Sequence, residues 1–126
     1  MSRLLTIAGI VLILGGLAHS AGVIHLYATA GVPDANRVLL DIWIAEAQLL
    51  SGGLYLAASR ALRAQSRWRA LSVFGALALI GFAVPILPVL VSRAPFVFRV
   101  PAIIYLAVSL VILGRAARPN ERREPV

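Results

Sequence analysis

A small set of residues able to do chemistry stands inside otherwise apolar runs: His19 and His25, then Asp41, Glu46 and Gln48, and finally Arg99 and Tyr105. Carboxylates can carry protons or accept a ligand's donors, imidazoles titrate at ordinary pH, and a guanidinium can hold an anionic group. Helical spacing limits which of them act together. At 100° per residue, Asp41 and Gln48 share a face that continues through Ser51, Gly52, Tyr55 and Ser59, so that stripe is expected to face protein. Glu46 is about 140° round the helix from Asp41 and shares its face with Gly53, so the two carboxylates do not converge on a straight helix. His19 and His25 are about 120° apart, which disfavours a two-histidine ligand pair, and no metal site is expected. Any site must draw on several helices.

Each of these residues carries two readings. Glu46 is a proton-handling or ligand-binding carboxylate, or else a neutral or Arg-paired structural group. Asp41 joins the site, or stabilises the positive end of its helix from the first turn. His25 and His19 shuttle protons, or simply hydrogen-bond at the interface and within the bundle. Arg99 pairs with Glu46 or Asp41, binds an anionic headgroup, or extends outward to water.

The elements that must position them are long apolar helices. Of 126 residues, 60% are apolar and only 13% charged, against about a quarter charged in an ordinary soluble domain. The mean hydropathy is +0.91. A bilayer core of about 30 Å needs about 20 helical residues, and four segments meet that: about 4–27, 38–59, 70–91 and 96–114. The expected fold is therefore all-α, an integral membrane four-helix bundle over residues 1–114 with a basic tail, 115–126. Gly31, Val32, Pro33 and Asp34 break the first helix from the second, with Asp34 suited to an N-cap. Pro85 and Pro88 in the third segment, and Pro101 in the fourth, predict a kink that frees backbone carbonyls, or tolerated bending at an interface. Gly52, Gly53, Gly75, Ala78 and Gly81 predict close helix contacts.

All twelve cations are arginines. Arg3, Arg60, Arg63, Arg67, Arg69, Arg115, Arg118, Arg122 and Arg123 fall on one side of the four-span arrangement, and Arg37, Arg93 and Arg99 on the other. The positive-inside rule then places both termini in the cytoplasm of a multi-pass cell-membrane protein. With that topology the polar residues collect in the outer half, and the inner half is expected to hold no comparable set. A competing reading takes Arg3, the run Leu4 to Leu17 and Ala18-His19-Ser20 as a cleaved signal peptide, but the apolar run continues through Leu26 to a spanning length.

Several function classes drop out. The absence of cysteine removes disulfide scaffolds, thiolate metal sites and cysteine nucleophiles. There is no phosphate-binding glycine loop, dinucleotide fingerprint, HExxH or GxSxG. The basic segment Arg60 to Arg69 is explained by topology and anionic lipid contact, so no nucleic-acid partner is expected.

The stretch Glu46-Ala-Gln-Leu-Leu-Ser-Gly-Gly-Leu-Tyr-Leu-Ala-Ala-Ser-Arg60, followed by an arginine-containing turn and a small-residue-rich third helix, resembles the DoxX-like four-helix membrane proteins. The resemblance covers about half the chain. It implies a compact bundle with a link to membrane quinone or oxidative-stress complexes, and carries over Glu46, Gly52 and Gly53 only. Three functions stay open: a subunit whose outer pocket binds a quinone or lipid-like small molecule, a proton-coupled transporter acting as a dimer, and a membrane-embedded acid/base enzyme on a lipophilic substrate. The partners expected are membrane lipids, a lipophilic small molecule, and a second copy or a membrane complex.

Overall fold

The computed structural model describes residues 1–93 and 96–118, with side chains for 1–81, 83, 100 and 102–118. The chain forms four helices and, among the described residues, no strand: α1 (Ser2–Ala30), α2 (Ala35–Arg63), α3 (Trp68–Arg93) and α4 (Phe96–Ala117). They pack in chain order, α1 on α2, α2 on α3 and α3 on α4. Three of the four run beyond the apolar segments at both ends, because hydropathy marks only the apolar middle while the backbone ladder continues to a residue that stops it.

The stops have local causes. After α1, Gly31 takes φ 89° and its N–H donates to the Tyr27 carbonyl at 3.2 Å. Asp34 then caps α2 by accepting from the Arg37 N–H at 3.1 Å. α2 ends in a Schellman turn: the Ser66 N–H reaches back to the Ala61 carbonyl at 2.8 Å and the Gln65 N–H to Leu62 at 3.1 Å. Gln65 supplies the left-handed residue, φ 52°, where glycine is usual. Gln65→Gly should therefore stabilise the bundle by about 1 kcal/mol, read as a rise in thermal midpoint in detergent.

The buried core lies at the end of the bundle that holds the start of α1, the α2–α3 turn and the end of α4. Leu5, Ala8 and Leu12 of α1 meet Tyr55 and Ala58 of α2, Ala76 and Leu79 of α3, and Ile112 of α4. This end is threaded with hydroxyls, Tyr55 and Ser59 among them from the stripe expected to face protein. Tyr55 donates to Ser109 Oγ at 3.0 Å, Thr6 and Ser2 meet Ser59 Oγ at 2.7 and 3.1 Å, and Ser72 donates to the Trp68 carbonyl. Serine, threonine and tyrosine lower hydropathy little, so they do not stand out in an apolar run, yet each can satisfy itself locally.

Glycines set the α1–α2 spacing. A Cβ on Gly52 would lie 2.8 Å from the Gly9 carbonyl oxygen, and one on Gly9 would lie 2.9 Å from that of Gly52. Gly75 leaves room for the Tyr55 ring, whereas Gly53 and Gly81 meet nothing within 4 Å among the described residues. Gly9 and Gly16, not singled out by the sequence, belong to the contact, and among the described residues Gly53 and Gly81 make none.

Among the described residues, length and composition single out one helix able to cross a membrane, α1, with a mean hydropathy of 2.1 in its most apolar window. Trp68–Gly81 and Ala102–Ala117 are shorter apolar stretches among the described residues. α2 is diluted by Arg37, Asp41 and Glu46.

Candidate functional site

The stripe that turns α2 toward its neighbours begins with Asp41, which is 3% exposed, and runs on through buried Ser51, Gly52, Tyr55 and Ser59. Asp41 is not in the first turn. Asp34 holds the cap position, so Asp41 lies nearly two turns inside the helix and its charge must be met by side chains.

Those partners come from both helices. Tyr27, near the end of α1, donates its hydroxyl to Asp41 Oδ2 at 2.5 Å. Arg37, one turn earlier on α2, donates Nε to the same oxygen at 3.1 Å. The other oxygen, Oδ1, faces His19 Nε2 across 3.8 Å, too far for a hydrogen bond. His19 Nε2 is itself buried and has no hydrogen-bond partner among the described residues. Arg37 is 58% exposed, so the ion pair is screened on one side while the carboxylate is not.

Asp41 also lines a groove of about 310 Å³ between α1 and α2. Ser20, Val23 and Ile24 form the α1 wall, and Ile42, Ala45 and Leu49 continue the α2 wall. Glu46 stands on the same groove, exposed, with no ion pair or hydrogen bond among the described residues. The angular separation of Asp41 and Glu46 is therefore compatible with a shared groove: Asp41 lies on its buried side and Glu46 on its open rim.

The remaining sequence candidates separate. Gln48 and Tyr105 approach each other beside Gly15, where a Cβ would lie 2.9 Å from the Tyr105 hydroxyl and 3.7 Å from Gln48 Oε1. Gln48 Oε1 is buried without a partner among the described residues, as is Ser51 Oγ. His25 is exposed and does not join Asp41; its side chain makes no hydrogen bond or ion pair among the described residues, and its carbonyl accepts from Thr29 Oγ1 at 2.9 Å. Arg99, Pro85, Pro88 and Pro101 have side chains outside the described residues, and residues 119–126 of the tail lie there entirely. A second, apolar groove of about 170 Å³ runs between α1 and α4, past Leu4, Val11, Ile104 and Tyr105.

Two members of the Asp41 cluster escaped sequence reasoning. Arg37 was legible, being four residues before Asp41 on one helix face. Tyr27 was not, since its contact depends on the α1–α2 register. Among the described residues no group of three His, Asp or Glu could hold a metal ion.

The fold and site together define a small four-helix bundle with an acidic, apolar-walled groove between its first two helices. No protein-family model, curated protein or solved structure matches the chain.

Proposed function

We propose that the chain is a multi-pass membrane protein with both termini cytoplasmic, whose outer-side groove between α1 and α2 binds a quinone or lipid-like small molecule. A role as a DoxX-like subunit of a membrane redox complex belongs to the same reading. The carrying observation is the groove itself: a buried, charged Asp41 at one side of walls made by Val23, Ile24, Ile42, Ala45 and Leu49. Such a combination suits an amphiphile, with a polar head on the carboxylate and an apolar body along the walls.

The membrane reading draws support from the surface. Ile7, Leu14, Ile24, Leu39, Leu50, Phe74, Ile103 and Leu110, drawn from all four helices, are each more than half exposed. A water-facing bundle rarely carries such a belt, whereas lipid tails cover it at no cost. The native chain has no cysteine, which makes sidedness directly testable. Val32→Cys should react with an impermeant maleimide added outside intact cells, and Ser66→Cys should react only after permeabilisation; the reverse pattern would invert the topology.

Native mass spectrometry from mild detergent tests the ligand. A retained lipophilic molecule whose occupancy falls at least several-fold in Asp41→Asn is the expected result, and a wild-type protein that flies empty would count against the groove. The carboxylate of Glu46, without a partner among the described residues, favours one second reading, proton-coupled transport. That reading expects proton-driven substrate uptake into vesicles that is lost in Glu46→Gln while Asp41, already held by Tyr27 and Arg37, keeps the bundle folded.

A further inference from the structure

Resting on the groove reading above, we propose that the head group bound there is a hydroxyl, as in a phenol, a quinol or a long-chain alcohol. Its O–H donates to Asp41 Oδ1 and its oxygen accepts from His19 Nε2.

The hydrogen-bond inventory singles out this chemistry. Asp41 Oδ2 already accepts from Tyr27 and Arg37. Oδ1 accepts no hydrogen bond among the described residues, and the polar atom facing it, His19 Nε2, is buried and without a partner. Buried polar atoms are rarely left so, and an unmet one is costly, so the pair marks a place where something else bonds. One oxygen about 2.8 Å from each atom would span the 3.8 Å between them, with the bonds meeting near a right angle, once a small shift opens the buried Nε2 toward the groove.

Head groups sort cleanly against that pair. A phosphate or carboxylate is repelled by Asp41. An oxidised quinone or an ether offers only acceptors, which can meet His19 Nε2 but leave Oδ1 unmet. A hydroxyl is donor and acceptor on one atom, and so meets both. Asp41 lines the groove as well as facing His19, so a head group bridging the two would have its apolar body beside Val23, Ile24, Ile42 and Leu49. The groove volume of about 310 Å³ lies at the small end of the range for small-molecule sites, about 300–1,000 Å³.

The test uses the full chain in phosphatidylcholine nanodiscs and two probes of matched apolar body, 4-nonylphenol and its O-methyl ether, each measured against empty nanodiscs. The phenol should bind about tenfold more tightly than the ether, the size expected for one buried polar pair left unmet. His19→Leu removes the donor that both probes can use and leaves the Asp41 bonds to Tyr27 and Arg37 in place, so it should weaken both probes several-fold while the phenol keeps its preference through Asp41 Oδ1. Equal binding of phenol and ether to the wild-type chain overturns the hydroxyl assignment and leaves the groove as a ligand site. Unchanged affinity of both probes in His19→Leu overturns the bridge. Binding of neither probe above empty nanodiscs overturns the groove reading together with it.

Discussion

Gly52→Val should cost the bundle about 3 kcal/mol, toward the upper end of the range for overpacking, read as a loss of thermal midpoint in detergent. The first added carbon would lie 2.8 Å from the Gly9 carbonyl oxygen, 2.8 Å from Ile13 Cγ1 and 3.1 Å from the Ile13 nitrogen. Two of those three neighbours are backbone, so no rotamer change relieves the contact and α1 must move away from α2. Moving it also loosens the Gly16 contact with Leu49 and the Tyr27 bond to Asp41, which depend on the same register. Gly53→Val is the control, because a Cβ there meets nothing within 4 Å among the described residues. The control should change stability by less than about 0.5 kcal/mol, as surface substitutions usually do. Equal losses in the two variants would show that α1 and α2 do not pack through these glycines.

The contrast between Gly52 and Gly53 illustrates what one chain of residues can disclose. Four helices follow from four apolar runs, and two of the three breaks between them, Gly31-Val32-Pro33-Asp34 and the arginine-rich turn, have local chemical causes. The buried stripe of α2 follows from angular arithmetic, and Asp41, Ser51, Gly52, Tyr55 and Ser59 are all buried along it. The same arithmetic puts Glu46 and Gly53 together, and both are exposed. Contacts between helices follow from no such rule. Tyr27 reaches Asp41, Tyr55 reaches Ser109 and Thr6 reaches Ser59 only because glycine contacts fix how far α1 slides along α2 and how closely Tyr55 approaches α3. Glu46 drew attention as the carboxylate deepest in an apolar run. Depth in sequence does not distinguish a side chain turned toward a neighbour from one turned outward.

Asp41→Ala is expected to destabilise the bundle by about 1.5–3 kcal/mol, the usual worth of hydrogen bonds to a buried charged group. Two donors converge on one carboxylate oxygen, and at 3% exposure little water can replace the lost acceptor. Arg37 limits the loss, because at 58% exposure its guanidinium can turn to water or headgroups once released. Asp41→Asn keeps the shape and one acceptor oxygen, so it should lose less than Asp41→Ala. Glu46→Gln, with no partner to lose among the described residues, should leave the thermal midpoint within the spread of repeat measurements. A double-mutant cycle with Tyr27→Phe separates the parts: if Asp41 acts through the Tyr27 bond, adding Tyr27→Phe to Asp41→Ala should cost less than Tyr27→Phe alone. Strict additivity would mean that Tyr27 and Asp41 are not bonded, and would free Asp41 Oδ2 as well as Oδ1 for a ligand. The stability cycle and the phenol–ether comparison therefore read opposite oxygens of the same carboxylate: one holds α1 to α2, and the other faces His19.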